Sequence, residues 1–146
     1  MSRYQLQSPT LADYDFLKNV HHVTLKEHVT KIWGWSDDKQ DAFFKEDFQS
    51  GQIQIILAAN QPVGYLQLNQ QDDVIQIVNI LILPSFQNRK IGSKIINDLI
   101  AKSKKEKHII ELGVFKVNTR AKKLYEMLGF ETTGETETHF VMRLNP

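Results

Sequence analysis

The sequence predicts one α+β domain, built on a mixed, mostly antiparallel sheet of about seven strands with helices on both faces. Three observations predict it. Residues 52–59, 63–69 and 74–83 alternate or run apolar and are separated by tight polar turns, which is the pattern of an antiparallel meander. Residues 74–83, a helical stretch and residues 108–115 then form a strand–helix–strand unit, and such a unit requires a parallel pair. The chain has 146 residues, enough for a single core, and the reading takes all of 1–146 as one domain.

Each element has its own local signal. Residues 3–7 alternate and read as an edge strand. Ser8-Pro9-Thr10, with Asp13 three places after Thr10, starts a helix over residues 11–29. Trp33-Gly34-Trp35 interrupts it, Ser36 offers a fresh cap, and residues 41–49 make a second helix carrying Phe43, Phe44 and Phe48, ended by Ser50-Gly51. Turns are expected at 60–62 and 70–73. Ile91, Ile95, Ile96, Leu99 and Ile100 have helical spacing and define a third helix over residues 91–105. Residues 118–128 form a fourth, stopped by Gly129, and residues 130–133 and 139–144 close the chain as a hairpin.

Composition removes several functions. The formal net charge is +1, which gives no electrostatic footprint for nucleic acid or an anionic membrane surface. No apolar run approaches the roughly 20 residues that cross a bilayer, and the first residues lack the apolar centre of a secretory signal, so the sequence reads as cytoplasmic. With no cysteine there is no disulfide, no thiolate metal site and no thiol nucleophile. His21, His22 and His28 lack the i,i+4 pairing of a helical zinc site, and no metal is expected.

One stretch carries chemistry. "FQNRKIGSKII", Phe86–Ile96, places polar and cationic residues and then Gly92 between an apolar strand and an apolar helix pattern. Amides at a helix start are unpaired and point outward, the helix dipole adds positive potential, and glycine lets a ligand come close. That is a phosphate seat; a solvated turn is the plainer alternative. Neither GxxxxGK[ST] nor GxGxxG is present. A second stretch, "NTRAKKLYEMLGF", puts Asn118 and Tyr125 about two helical turns apart, on one face. A helix cap explains Asn118 and a core ring explains Tyr125 equally well when each is taken alone.

Together, at this separation, the two stretches resemble the GNAT superfamily of N-acetyltransferases. The first signature of that family, Q/R-x-x-G-x-G/A, binds the pyrophosphate of acetyl-CoA. Gln87 and Gly92 match it, and Lys90 stands where the first glycine belongs. The second is matched by Asn118, Ala121, Leu124, Tyr125, Glu126, Gly129 and Phe130. A lysine at position 90 suits the turn only if it avoids positive φ.

The resemblance implies acetyl-CoA as acyl donor, a primary amine as acceptor, and direct transfer through a tetrahedral intermediate. It implies that the strand before the turn splays from its parallel neighbour, and that Ile80, Leu81 and Ile82 offer backbone groups to the pantetheine arm and an N–H to the oxyanion. It implies that Gln87, Asn88, Arg89, Lys90, Ile91, Gly92 and Ser93 hold the diphosphate, that Asn118 binds the arm, and that Tyr125 protonates the leaving thiolate. A phenol near ~10 against a thiol near ~8.5 suits that transfer. A homodimer is compatible with the family.

The general base and the acceptor are open. Gln76, Asn79 and Gly113 occupy the strand positions where a base is sought, and none is one. Glu111 is close in sequence. His139 has a suitable titration range, with a solvent-facing strand residue or proton loss through water as the alternatives. Trp33, Trp35 and His139 are candidates to line an acceptor pocket, where an aromatic face attracts a cation, and core packing is the competing role for a tryptophan. Glu135 and Glu137 could draw in a cationic amine or simply rim the hairpin. A CoA-binding sensor without catalysis and a nucleotide-phosphate binder are the alternative functions.

Overall fold

A computed structural model describes residues 3–146. In chain order the elements are β1 (Gln5–Gln7), α1 (Tyr14–Trp33), α2 (Asp37–Gln49), β2 (Ile53–Ala58), β3 (Gln61–Gln71) and β4 (Val74–Ile82). Then come α3 (Ile91–Glu106), β5 (Ile109–Phe115), α4 (Thr119–Met127), β6 (Glu131–Glu135) and β7 (His139–Leu144). The fold is α+β, and the sheet has seven strands in the order β1-β2-β3-β4-β5-β7-β6 with one parallel pair, β4 with β5. Two compact units divide the chain. One holds the residues up to Gln67 together with Asn79–Ile95, and the other holds Leu68–Val78 and Ile96–Pro146.

In the first unit, Leu17 and Val20 of α1, Phe44 of α2, Ile53 and Ile55 of β2, Tyr65 of β3 and Leu81 of β4 form the apolar core. Burying each large side chain contributes about 1.5–3 kcal/mol. His21 falls on the same stripe of α1, one position after Val20, and is buried with it. The helix runs on to Trp33, beyond the expected end near 29, because its first breaker is Gly34, whose φ of 78° only glycine adopts freely. Ser36 caps α2 by accepting the Lys39 amide, so that helix begins four residues before the apolar pattern signals it.

The hairpin from β2 to β3 turns on Ala59 and Asn60, with φ of 51° and 64°, rather than on residues 60–62. Pro62 lies inside β3 opposite Leu57, where the register slips next to Ile56, so its missing N–H falls at an irregularity. At Gly64 the β3 backbone comes so close to β4 that an added Cβ would collide with the Leu81 carbonyl oxygen.

In the second unit, β4 and β5 pair in register from Val74↔Ile109 to Ile77↔Leu112. The registered pairs stop there, while β4 runs on to Ile82 and β5 to Phe115. On its other side β5 pairs with β7, from Ile110↔Leu144 to Phe115↔His139. Strand alternation buries Ile110, Leu112, Val114 and Met142. No helix among the described residues is long and apolar enough to cross a membrane.

Candidate active site

The turn after β4 is built from its own side chains. Gln87 donates its amide to the Ile82 carbonyl at 2.8 Å, which folds residues 83–87 back onto the strand end. Arg89 lies 5.3 Å from the centre of the Phe86 ring. Asn88 and Lys90 have φ of 62° and 63°. The condition set on the sequence is therefore not met: Lys90 adopts the left-handed backbone of the glycine it replaces. Such a conformation costs a non-glycine residue about 1–2 kcal/mol, and the helix that follows forms nonetheless. The Lys94 amide bonds to the Lys90 carbonyl at 3.0 Å, making Lys90 the N-cap of α3. A lysine side chain carries no acceptor, so the cap residue supplies nothing to the amides of Ile91, Gly92 and Ser93.

Gly92 is helical, and it does not serve by a positive φ. A Cβ there would meet only the Ile82 Cδ1, at the ordinary contact distance of 3.5 Å. The chain has room for a small side chain at 92, so packing within the chain does not require glycine there. Ile80, Leu81 and Ile82 sit on the part of β4 beyond its last registered pair with β5, and the Ile82 carbonyl already takes Gln87.

Asn118 caps α4. Its Oδ1 accepts the Ala121 amide at 3.1 Å, and its Nδ2 is left as a donor. Tyr125 stands in the last turn of α4, its ring edge-on to Phe130 at 5.7 Å. Its hydroxyl takes no hydrogen bond from the described residues. Burial pushes the phenol above its usual range, so it stays protonated and able to donate at neutral pH. His139 stacks on Phe115 at 4.3 Å and its Nδ1 lies 2.7 Å from the Thr138 hydroxyl. Partial burial holds the ring below the usual histidine range, hence neutral near pH 7.

A family profile described as "Acetyltransferase (GNAT) family" matches residues 17–130. The chain belongs to the GNAT acetyltransferase family. Solved structures share the fold across nearly the whole length. They include the PaiA N-acetyltransferase from Thermoplasma acidophilum in complex with coenzyme A (16% identity, 99% of each chain, TM-score 0.77). An acetyltransferase from Thermus thermophilus has 17% identity over 98% of this chain and 97% of its own, with a TM-score of 0.77. A GNAT family acetyltransferase from Bacillus anthracis has 11% identity over 99% and 98%, with a TM-score of 0.72. A comparison with curated proteins finds no match.

Within this GNAT chain, Trp33 is 61% exposed. Trp35 is half-buried, donates its indole N–H to Asp37 at 2.7 Å and lies edge-on to His22. The residues from Ile80 to Ser93 and both tryptophans belong to the first unit; Asn118, Tyr125 and His139 belong to the second. Glu111 is engaged by Arg143, whose Nε and Nη2 both reach the same carboxylate oxygen at 2.7 Å. Glu135 is paired with Lys116 at 2.6 Å. Among the described residues no group of three histidines or carboxylates is placed to hold a metal.

Two polar clusters escaped the sequence reading. His21 Nδ1 lies 3.0 Å from His22 Nδ1, and His22 Nε2 lies 2.6 Å from Asp41. Desolvation, helped by His22, lowers His21 to about 4. In the second cluster Asn79 donates to Gln67 at 3.0 Å, and Gln67 donates to Asp47 at 3.4 Å and to Gln52 at 3.3 Å. Burial pushes the Asp47 carboxyl up, and the nearby Tyr65 phenol is pushed up by burial and by Asp47. Helical spacing could have flagged His21 beside Val20. No local signal joins Asp47, Gln67 and Asn79, which meet only through the sheet.

Proposed function

We propose that this chain, acting over its whole length as one acetyltransferase domain, moves an acetyl group from acetyl-CoA directly to a primary amine. The observation that carries this reading is the join at Lys90-Ile91-Gly92. Three helix-start amides lack a cap from residue 90, the middle one belongs to Gly92 with no side chain beside it, and Lys90 and Arg89 supply positive charge. A diphosphate fits that donor set. The related PaiA N-acetyltransferase was solved with coenzyme A.

In this reading the turn from Gln87 to Ser93 holds the diphosphate. Backbone groups of Ile80, Leu81 and Ile82 and the Asn118 Nδ2 hold the arm. Tyr125 gives its proton to the departing sulfur. The phenol suits the task because it is protonated and has no competing partner among the described residues. Trp33 and Trp35 remain candidates for the acceptor side, which takes a small-molecule or peptide amine.

Glu111 is bound up with Arg143, and Gln76, Asn79 and Gly113 carry no base, which favours a CoA-binding sensor as the second reading. An assay of acetyl transfer to a panel of amines, run beside calorimetric titration with CoA and ATP, tests the proposal. Tight CoA binding with turnover on at least one amine supports it. CoA binding without turnover on any amine selects the sensor, and a preference for ATP removes both.

A further inference from the structure

Transfer to an ammonium substrate requires a proton acceptor, and the second unit holds a histidine in a built setting. His139 opens β7 opposite Phe115, on the part of β5 that continues past its last registered pair with β4. Its ring lies against Phe115 at 4.3 Å. Gly113, two residues back on the same face of β5, has no side chain to cover it: a Cβ there would sit 3.8 Å from His139 Cδ2. The loop before it is fixed. Thr136 Oγ1 accepts the amides of Thr138 at 3.3 Å and His139 at 3.0 Å, and the Thr136 amide bonds to the His139 carbonyl at 2.8 Å.

We propose that His139 is the proton acceptor for the attacking amine and that Thr138 is its positioning residue, both resting on the acetyl-transfer reading above. The Thr138 hydroxyl oxygen lies 2.7 Å from Nδ1, and in this role it accepts the Nδ1–H. That bond selects the tautomer with a lone pair on Nε2, which has no partner among the described residues. It also persists once the ring is protonated, because an imidazolium needs an acceptor at Nδ1.

The faces of the sheet divide the labour. His139 and Phe140 alternate, so they point to opposite sides of β7. Lys122 of α4 lies 4.7 Å from the Phe140 ring, which places α4, the helix of Tyr125, on the Phe140 side. The acid for the leaving thiolate and the base for the entering amine thus stand on opposite faces. Partial burial keeps the ring neutral near pH 7. The charges around it are already paired or turned to Phe140: Lys116 with Glu135, Arg143 with Glu111, and Lys122 over Phe140; Glu137 is exposed in the loop.

The substrate arrives as an ammonium. Its first proton goes to Nε2 and then to water. The freed lone pair forms the N–C bond at the thioester carbonyl. The C–S bond breaks, its electron pair goes to sulfur, and sulfur takes the Tyr125 proton. The second proton on nitrogen returns through water to the Tyr125 oxygen, so each turnover releases one proton net.

The test combines nitrogen NMR of the histidine rings in the full-length protein with kcat measured from pH 5 to 10 on an amine that the wild type acetylates. The proposal expects Nε2 unprotonated at pH 7 and a His139 titration below the usual ~6.5. It expects His139→Gln to lower kcat about 100-fold at pH 7 and to move the acid limb upward, with CoA binding kept. It expects Thr138→Val to shift the ring titration downward and Thr138→Ser to restore it. A proton on Nε2, or a His139→Gln enzyme with the wild-type profile, overturns the assignment while leaving acetyl transfer standing. A wild type that acetylates no amine overturns both.

Discussion

The Gln87 side-chain amide donates to the Ile82 carbonyl at 2.8 Å, across five residues of chain. The glutamine of the signature is thus spent on shaping the turn, and phosphate binding falls to the amides and cations that follow it. The bond ties the turn to the end of β4, and just beyond it Asn88 and Lys90 both take left-handed backbone.

Lys90 accordingly bears strain. At φ 63° a lysine is disfavoured and a glycine is not. Lys90→Gly should stabilise the fold by a net ~0.5–1 kcal/mol once the extra freedom of glycine in the unfolded chain is subtracted, read as a higher urea midpoint. A lower midpoint would show that the lysine side chain stabilises the turn by more than its backbone costs.

Tyr125→Phe removes the proton donor and leaves the ring on Phe130. Turnover should fall roughly 100-fold or more with CoA affinity nearly unchanged. The active form is the protonated phenol, and burial raises its pKa, so the protonated range extends upward. The wild-type rate should therefore show no falling limb from Tyr125 below about pH 10. A falling limb near pH 8 that disappears in the phenylalanine variant would contradict the assignment.

His21 makes stability depend on acid. Folded, it takes up a proton only near about 4; unfolded, near ~6.5. Between those values the unfolded chain binds more protons, so stability is lost as pH falls through that window, by on the order of 3 kcal/mol. Urea unfolding at pH 7 and pH 4.5 measures the loss. His21→Leu should flatten most of it, and an equal acid loss in that variant would place the cause elsewhere.

Gly64→Ala should destabilise the chain by roughly 2 kcal/mol or more, because β3 must move off the Leu81 carbonyl. Calorimetric melting of the variant measures it. A melting temperature within a degree of wild type would mean that the two backbones separate at little cost.

Much of this was legible in the sequence because the signals were local. Ser36, Gly34 and Asn118 announced their helix ends, and each does that job. The strand–helix–strand unit gave the parallel pair, with its first and last residues, Val74 and Phe115, as expected and its inner boundaries off by at most a single residue. The hairpin turn was misread because Pro62 looked like a turn residue, whereas a slip in register lets it stay in the strand. The left-handed lysine was misjudged because propensity describes the residue alone, while the turn that joins β4 to α3 places residue 90 in left-handed backbone. The Asp47–Gln67–Asn79 chain was invisible since its members come from a helix and two strands. The ion pair that engages Glu111 became visible only once its register partner, Arg143, was known.

If the helix-start amides at Ile91, Gly92 and Ser93 clasp a diphosphate, amide NMR during titration with CoA will register it at those three residues. These three amides should shift downfield and saturate together with binding, and Gly92→Val should remove both the shifts and the affinity while the protein stays folded. CoA that binds tightly with these amides unmoved, or that binds Gly92→Val as well as wild type, would contradict it.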